Sequence, residues 1–137
     1  MTNIEALRSL SPFNNWMKLQ MEALEPGFAK IRLPWSDSLI GDPTVPRIHG
    51  GILASLIDAT GGAACMSKLG PEDSISTIDL QVNYIEPGSP GDFVCDAHVV
   101  RVGGRIGVAR MEVYSLGSNN EPKLVTVGTG TYNLIRR

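Results

Sequence analysis

Hydrophobic spacing divides the chain into one helical stretch and several alternating ones. Between Gly50 and Leu69 apolar residues recur at helical intervals: Ile52, Leu56, Ala59, Ala63 and Met66 mark one face, widened by Leu53, Ile57 and Ala64. A helix apolar around most of its circumference needs protein on nearly every side. A stripe of Gly51, Ser55, Asp58, Gly62 and Cys65 interrupts it, and Gly70-Pro71 stops it. Downstream the period falls to two. Ile78, Leu80, Val82 and Tyr84 alternate with Thr77, Asp79, Gln81 and Asn83, which predicts a half-buried strand with the first set inside. After the Pro87-Gly88-Ser89-Pro90-Gly91 turn, Phe93, Cys95, Ala97 and Val99 alternate in the next strand. Gly103-Gly104 predicts a hairpin, with residues 105–116 returning and Ala109, Met111 and Val113 inside. Gly117-Ser118-Asn119-Asn120 turns again into a last strand over 123–135.

Upstream, residues 2–10 place Ile4, Leu7 and Leu10 near helical spacing, and Ser11-Pro12 ends that short helix. Phe13 and Trp16 read as anchors for the entering chain. Strands are expected over 17–24 and 28–35, joined through Glu25-Pro26-Gly27, and Gly41, Pro43 and Pro46 make 36–48 a loop. Two strands, one long buried helix and four antiparallel strands describe an α+β domain, a single helix packed on one sheet. The 137 residues fit a single domain, with 1–14 as a lead-in. One helix cannot cover a six-stranded sheet broadly, and its own outer stripe also lacks a partner. Both shortfalls predict a symmetric dimer.

Composition narrows the function by exclusion. A net charge of −2 offers no concentrated basic face, which argues against a nucleic-acid partner. No window reaches the ~18 apolar residues of a membrane span, and Met1-Thr2-Asn3-Ile4-Glu5 does not open a secretory signal. A cytoplasmic protein without a membrane partner is the expectation. Cys65 and Cys95 have neither zinc nor C-x-x-C spacing and read as buried free thiols. No metal site is expected. His98, alternating with apolar residues, reads as structural.

The chemistry gathers at the helix start. In His49-Gly50-Gly51-Ile52-Leu53-Ala54-Ser55-Leu56-Ile57-Asp58 a carboxylate stands inside an apolar helical run. Burying it costs several kcal/mol unless it is hydrogen-bonded or has a task. Two glycines at a helix N-terminus leave amides open to an anionic ligand or a developing oxyanion. Those are the parts an acyl-transfer site requires.

With these residues in view, the chain resembles the hotdog-fold acyl-CoA thioesterases of the phenylacetate-degradation type. The likeness rests on His49-Gly50-Gly51, six residues and Asp58, then on Thr77-Ile78-Asp79-Leu80-Gln81-Val82-Asn83-Tyr84-Ile85-Glu86-Pro87. The Arg101-Val102-Gly103-Gly104-Arg105 hairpin is similar as well, and the resemblance spans roughly residues 15–135. It implies a hotdog fold, hydrolysis of an acyl-CoA to free acid and coenzyme A without a cofactor, and a homodimer that pairs further into a homotetramer. It also implies that the Gly50 amide polarises the thioester carbonyl. Asp58 would be nucleophile or general base, Thr77 would assist it, and His49 would orient the loop. Coenzyme A phosphates would meet Arg47, Arg101 and Arg105, with Gly51, Gly103 and Gly104 allowing close backbone approach. Gly50 and Asp58 are eight residues apart, about 12 Å along one helix at 1.5 Å per residue. One carbonyl cannot touch both, so each site draws Gly50 from one subunit and Asp58 from its neighbour.

Plainer readings stand beside these. Asp58 could bond a local hydroxyl, Ser55 or Thr60; Gly50-Gly51 could serve tight packing; Arg101 and Arg105 could be solvated charges. Pro43 occupies a position where some family members carry a water-positioning Asn, with Asp42 or Arg47 as substitutes. A hotdog protein that binds acyl-CoA or another small acid without hydrolysing it is therefore the alternative. A hydratase is disfavoured by the His49 to Asp58 spacing.

Overall fold

The computed structural model describes residues 11–137. The helix expected over 2–10 lies outside the described residues. Ser11 caps a short helix α1 (Pro12–Trp16), its Oγ accepting from the Asn14 N–H at 3.2 Å. Pro12 thus opens a helical turn, since its missing N–H costs nothing at a first position. Phe13 and Trp16 are 51% and 70% exposed and anchor nothing in the core. Met17 and Leu19 are buried instead.

Six antiparallel strands make one sheet in the order β1-β2-β6-β7-β8-β5, with β1 (Gln20–Glu25), β2 (Phe28–Leu33), β5 (Ser74–Tyr84), β6 (Phe93–Val102), β7 (Ile106–Ser115) and β8 (Lys123–Ile135). The turn before β2 uses Gly27 at φ +84°, a conformation other residues rarely adopt. The region expected as loop is more ordered than its composition implies. A 3₁₀ turn (Asp37–Leu39) leads into a small hairpin of β3 (Ile40–Asp42) and β4 (Arg47–Ile48).

Helix α2 (Gly50–Met66) packs across one face of the sheet, touching β2, β5, β6, β7 and β8. Its sheet side is Leu53, Leu56, Ile57, Thr60, Ala64 and Cys65, all buried. The expected face was rotated: Ile52 and Ala59 are only partly covered, while Thr60 and Cys65 are fully enclosed. Thr60 avoids an unsatisfied hydroxyl by donating to the Leu56 carbonyl at 2.6 Å. Cys65 sits under β7, where a side chain at Gly107 would meet its Sγ at 3.1 Å.

Bulges in β5 and β6 change the faces of those strands. In β5 the register shifts between Thr77 and Asp79, so Ile78 is the extra residue. It is 56% exposed rather than inside. Parity reverses across it, and Ile75 and Thr77 share the helix side with Leu80 and Val82. The same happens in β6 between Val99 and Arg101, leaving Val100 exposed. The far face of the sheet is polar, with Lys30 paired to Asp96 at 3.8 Å and Arg32 to Asp92 at 2.9 Å. Among the described residues no helix is long and apolar enough to cross a membrane.

Candidate active site

Asp58 is half-buried on α2 and faces β5. Thr77 Oγ1 donates to its Oδ1 at 2.8 Å. The bulge at Ile78 is what turns Thr77 toward the helix; strict alternation with Leu80 would have pointed it away. Neither local hydroxyl competes. Ser55 Oγ donates to the Gly51 carbonyl at 3.0 Å, and Thr60 is committed to Leu56. The carboxylate is therefore held from another element, not from its own helix. Asp58 and Thr77 open into a cavity of about 520 Å³, whose wall continues along Ala59, Gly62, Ala63, Met66 and Ile75.

Behind Asp58 lies Tyr132, fully buried, whose hydroxyl donates to the Asp58 backbone carbonyl at 3.1 Å. The ring fits only because Gly61 and Gly130 lack side chains; a Cβ there would come within 2.5 and 2.6 Å of the Tyr132 hydroxyl. Burial raises the Tyr132 phenol far above its ordinary range, so it stays a neutral donor. Sequence reasoning missed Tyr132. The available signal was Gly128-Thr129-Gly130-Thr131-Tyr132, where glycines at period two hollow the helix-facing side of a strand.

The helix start forms a second centre. His49 Nδ1 accepts from the Gly51 N–H at 2.9 Å and caps α2. The Ile52 N–H takes the His49 carbonyl at 3.0 Å. Among the described residues no acceptor meets the Gly50 N–H, which leaves that amide for a ligand. The His49 backbone is fixed by its N–H to Leu39 O at 2.8 Å, and Ile48 N–H reaches Gly88 O at 3.0 Å. Gly41 is needed for this approach, because its Cβ would lie 2.9 Å from the His49 Cα. Tyr84, also overlooked as a site residue, donates its hydroxyl to the Gly50 carbonyl at 2.5 Å. Gly50, Tyr84 and Arg47 share a smaller cleft of about 230 Å³.

Within one chain, then, Asp58 and Thr77 line one cleft and Gly50 and Arg47 another, while His49 and Gly51, at the same helix start, line neither. Arg101, Gly103, Gly104 and Arg105 line neither among the described residues. Their hairpin lies beyond the opposite end of α2, where Arg136 donates to the Gly103 and Gly104 carbonyls at 2.6 and 3.1 Å. Pro43 sits in the exposed β3–β4 turn. Asp42 there accepts from the Thr44 hydroxyl and N–H at 2.6 and 3.0 Å, which lowers its carboxyl pKa and ties it to the turn. Among the described residues no group of three or more His, Cys, Asp or Glu is placed to hold a metal ion.

Comparison with known proteins bears on this arrangement. The thioesterase superfamily model matches residues 46–121, a span that runs from the β4 lead-in through α2 to β7. The chain is 37% identical over 128 residues to an esterase, so named provisionally, of Halobacterium salinarum, covering 89% of this chain and 83% of that one. It is 30% identical over 134 residues to the medium/long-chain acyl-CoA thioesterase YigI of Escherichia coli, covering 88% and 84%. A solved thioesterase family protein from Silicibacter pomeroyi superposes with a TM-score of 0.90 at 21% identity, over 98% of this chain and 97% of that one.

Proposed function

Since the chain belongs to the thioesterase superfamily, with the hotdog fold, and is a thioester hydrolase, we propose that it cleaves acyl-CoA thioesters at sites shared between two copies. The observation that carries this is the separation of the oxyanion donor from the carboxylate into two clefts of one chain. Two antiparallel helices laid side by side bring the Gly50 of one copy against the Asp58 of the other. Their two-fold axis then passes the midpoint of that interval, Ala54, among the partly exposed residues of α2. We take the chain, on its motif, to be of the phenylacetate-degradation type, and two such dimers would pair into a tetramer.

In this reading the Gly50 amide donates to the thioester oxygen as it gains charge, aided by the positive end of α2. Thr77 holds one carboxylate oxygen of Asp58 and leaves the other for the reacting atoms. Asp58 either attacks the carbonyl carbon or takes a proton from the water that does. The tetrahedral species then collapses, the C–S bond breaks, and the coenzyme A thiolate leaves and gains a proton. Attack by water frees the acid directly, whereas attack by Asp58 leaves an acyl anhydride that a water then hydrolyses to the free acid, restoring the carboxylate. His49 acts as a cap that keeps the Gly51 amide occupied and the Gly50 amide aimed outward. The β6–β7 hairpin of one copy falls toward the N-terminal end of the facing helix. Arg101 and Arg105 would thus meet the phosphates from the same side as the partner subunit's Arg47. The reaction draws on an activated thioester and water, and we assign it no cofactor. The cytoplasm suits two buried, reduced thiols.

The test is hydrolysis of an acyl-CoA panel followed with a thiol reagent. Asp58→Asn keeps an acceptor for Thr77 but cannot attack or take a proton, so kcat should fall by about 10²–10⁴ with KM little changed. Unchanged turnover would remove Asp58 from the chemistry. Binding of acyl-CoA with no release from any chain length would favour the non-hydrolytic reading.

A further inference from the structure

We infer that Tyr132 is a positioning residue for the hydrolysis: it fixes the backbone of Asp58 and so sets where that carboxylate stands. This rests on the thioesterase reading above and deepens it. Thr77 holds one carboxylate oxygen at 2.8 Å, which sets the tilt of the side chain but not the place of the helix that carries it. The helix has little to interlock with the sheet at this point. Five of the next six residues, Ala59, Gly61, Gly62, Ala63 and Ala64, have one side-chain carbon or none, and small side chains make shallow ridges. The Tyr132 hydroxyl supplies the second point of fixation. It donates to the Asp58 carbonyl at 3.1 Å, using the lone pair that the helix ladder leaves over.

The two donors belong together. Thr77 and Tyr132 are direct partners across the β5–β8 ladder, so sheet hydrogen bonds fix the spacing between them. One takes the side chain of Asp58 and the other its backbone, and the carboxylate is thereby tied to the sheet. Packing alone does not call for the hydroxyl, since phenylalanine would fill the slot with the same ring. Admitting the hydroxyl requires glycine in the middle of α2 and inside β8, both unfavourable places for it. A Cβ at Gly130 would lie 2.7 Å from the ring as well as 2.6 Å from the hydroxyl oxygen, whereas at Gly61 the nearest atom is that oxygen, at 2.5 Å. Burial keeps the phenol neutral, so it remains a donor.

The experiment measures kcat, KM and urea midpoints on the full chain carrying Tyr132→Phe, Asp58→Asn or both, with one acyl-CoA that the wild type hydrolyses. Tyr132→Phe should lower kcat about tenfold and leave KM within about twofold, between the loss of one neutral hydrogen bond and a small misplacement of a reacting group. In the Asp58→Asn background the same change should cost less than about twofold, because the group it positions no longer reacts. A residue that merely packs would slow both backgrounds alike. Gly61→Ala displaces the hydroxyl without deleting it and serves if Tyr132→Phe fails to fold; it should show the same dependence on Asp58. Full kcat in folded Tyr132→Phe, a loss confined to KM, or an equal loss in both backgrounds overturns the proposal and leaves the catalytic reading standing. Retained turnover in Asp58→Asn overturns the catalytic reading, and the proposal with it.

Discussion

Asp58 owes its orientation to a hydroxyl nineteen residues away in sequence, and that bond is the smallest unit of the account. A neutral donor on a carboxylate contributes about 1.5–3 kcal/mol where it is sheltered and less at a half-exposed site. Thr77→Val should therefore lower kcat about tenfold with KM nearly fixed, and Thr77→Ser should restore most of it; steady-state kinetics on one acyl-CoA decides. Equal losses in the valine and serine variants would assign Thr77 to packing. The two thiols make an independent check. Burial pushes Cys65 up from 9.0 to about 11 and Cys95 up from 9.0 to about 12. The folded chain keeps these protons where the unfolded chain releases them. Their contribution is whole below pH 9 and is lost as the pH climbs through the window to about 11–12. Urea midpoints should fall across that window, and neither thiol should react with a thiol reagent in the native state near pH 8. Rapid labelling there would place the cysteines outside the core. At this scale the motif reading picked out Asp58, Gly50 and Thr77. Tyr84 and Tyr132 escaped as site residues because their roles are bonds to backbone carbonyls, which no side-chain pattern announces.

The elements show where periodicity succeeds and where it stops. Helix α2 was legible because seventeen residues sustain one spacing and Gly-Pro ends it shortly after. Strands β6, β7 and β8 followed from alternation bounded by turn residues. Ile78 was assigned the wrong way because a period of two cannot register an inserted residue, and a bulge reverses every side chain beyond it. The β3–β4 hairpin was invisible for another reason: two or three residues are too few to show a period, and Pro43 and Pro46 made the segment look irregular. The fit of α2 on β8 makes its own prediction. Gly61→Ala would gain about 1 kcal/mol of helix propensity. Its Cβ, however, would meet the Tyr132 hydroxyl at 2.5 Å and the Met111 end at 2.8 Å. Overpacking of this kind costs about 1–3 kcal/mol, and the Tyr132 bond to Asp58 is lost with it. The urea midpoint should drop. A rise would mean that the packing yields more easily than the distances imply.

For the whole molecule, the placement of Gly50 and Asp58 in two clefts of one chain is the feature from which the proposal of a shared site proceeds. The expectation of a dimer came first from incomplete cover of a sheet by a single helix. The two clefts add a chemical reason, because Gly50 and Asp58 line different ones, and the carboxylate beside Gly50, that of Glu86, is taken up by Lys123. The measurement that tests this most directly uses two defective chains. Gly50→Pro removes the amide at a helix position where proline is tolerated, and the His49 conformation of φ −64° and ψ 127° suits the residue before a proline. Each variant alone should be inactive. A purified mixed dimer of Gly50→Pro with Asp58→Asn, co-expressed under two tags, should regain about half the wild-type turnover, since one of its two symmetric sites is intact. A mixed dimer as inactive as its parents would show that donor and acid act from the same chain, contrary to the shared site.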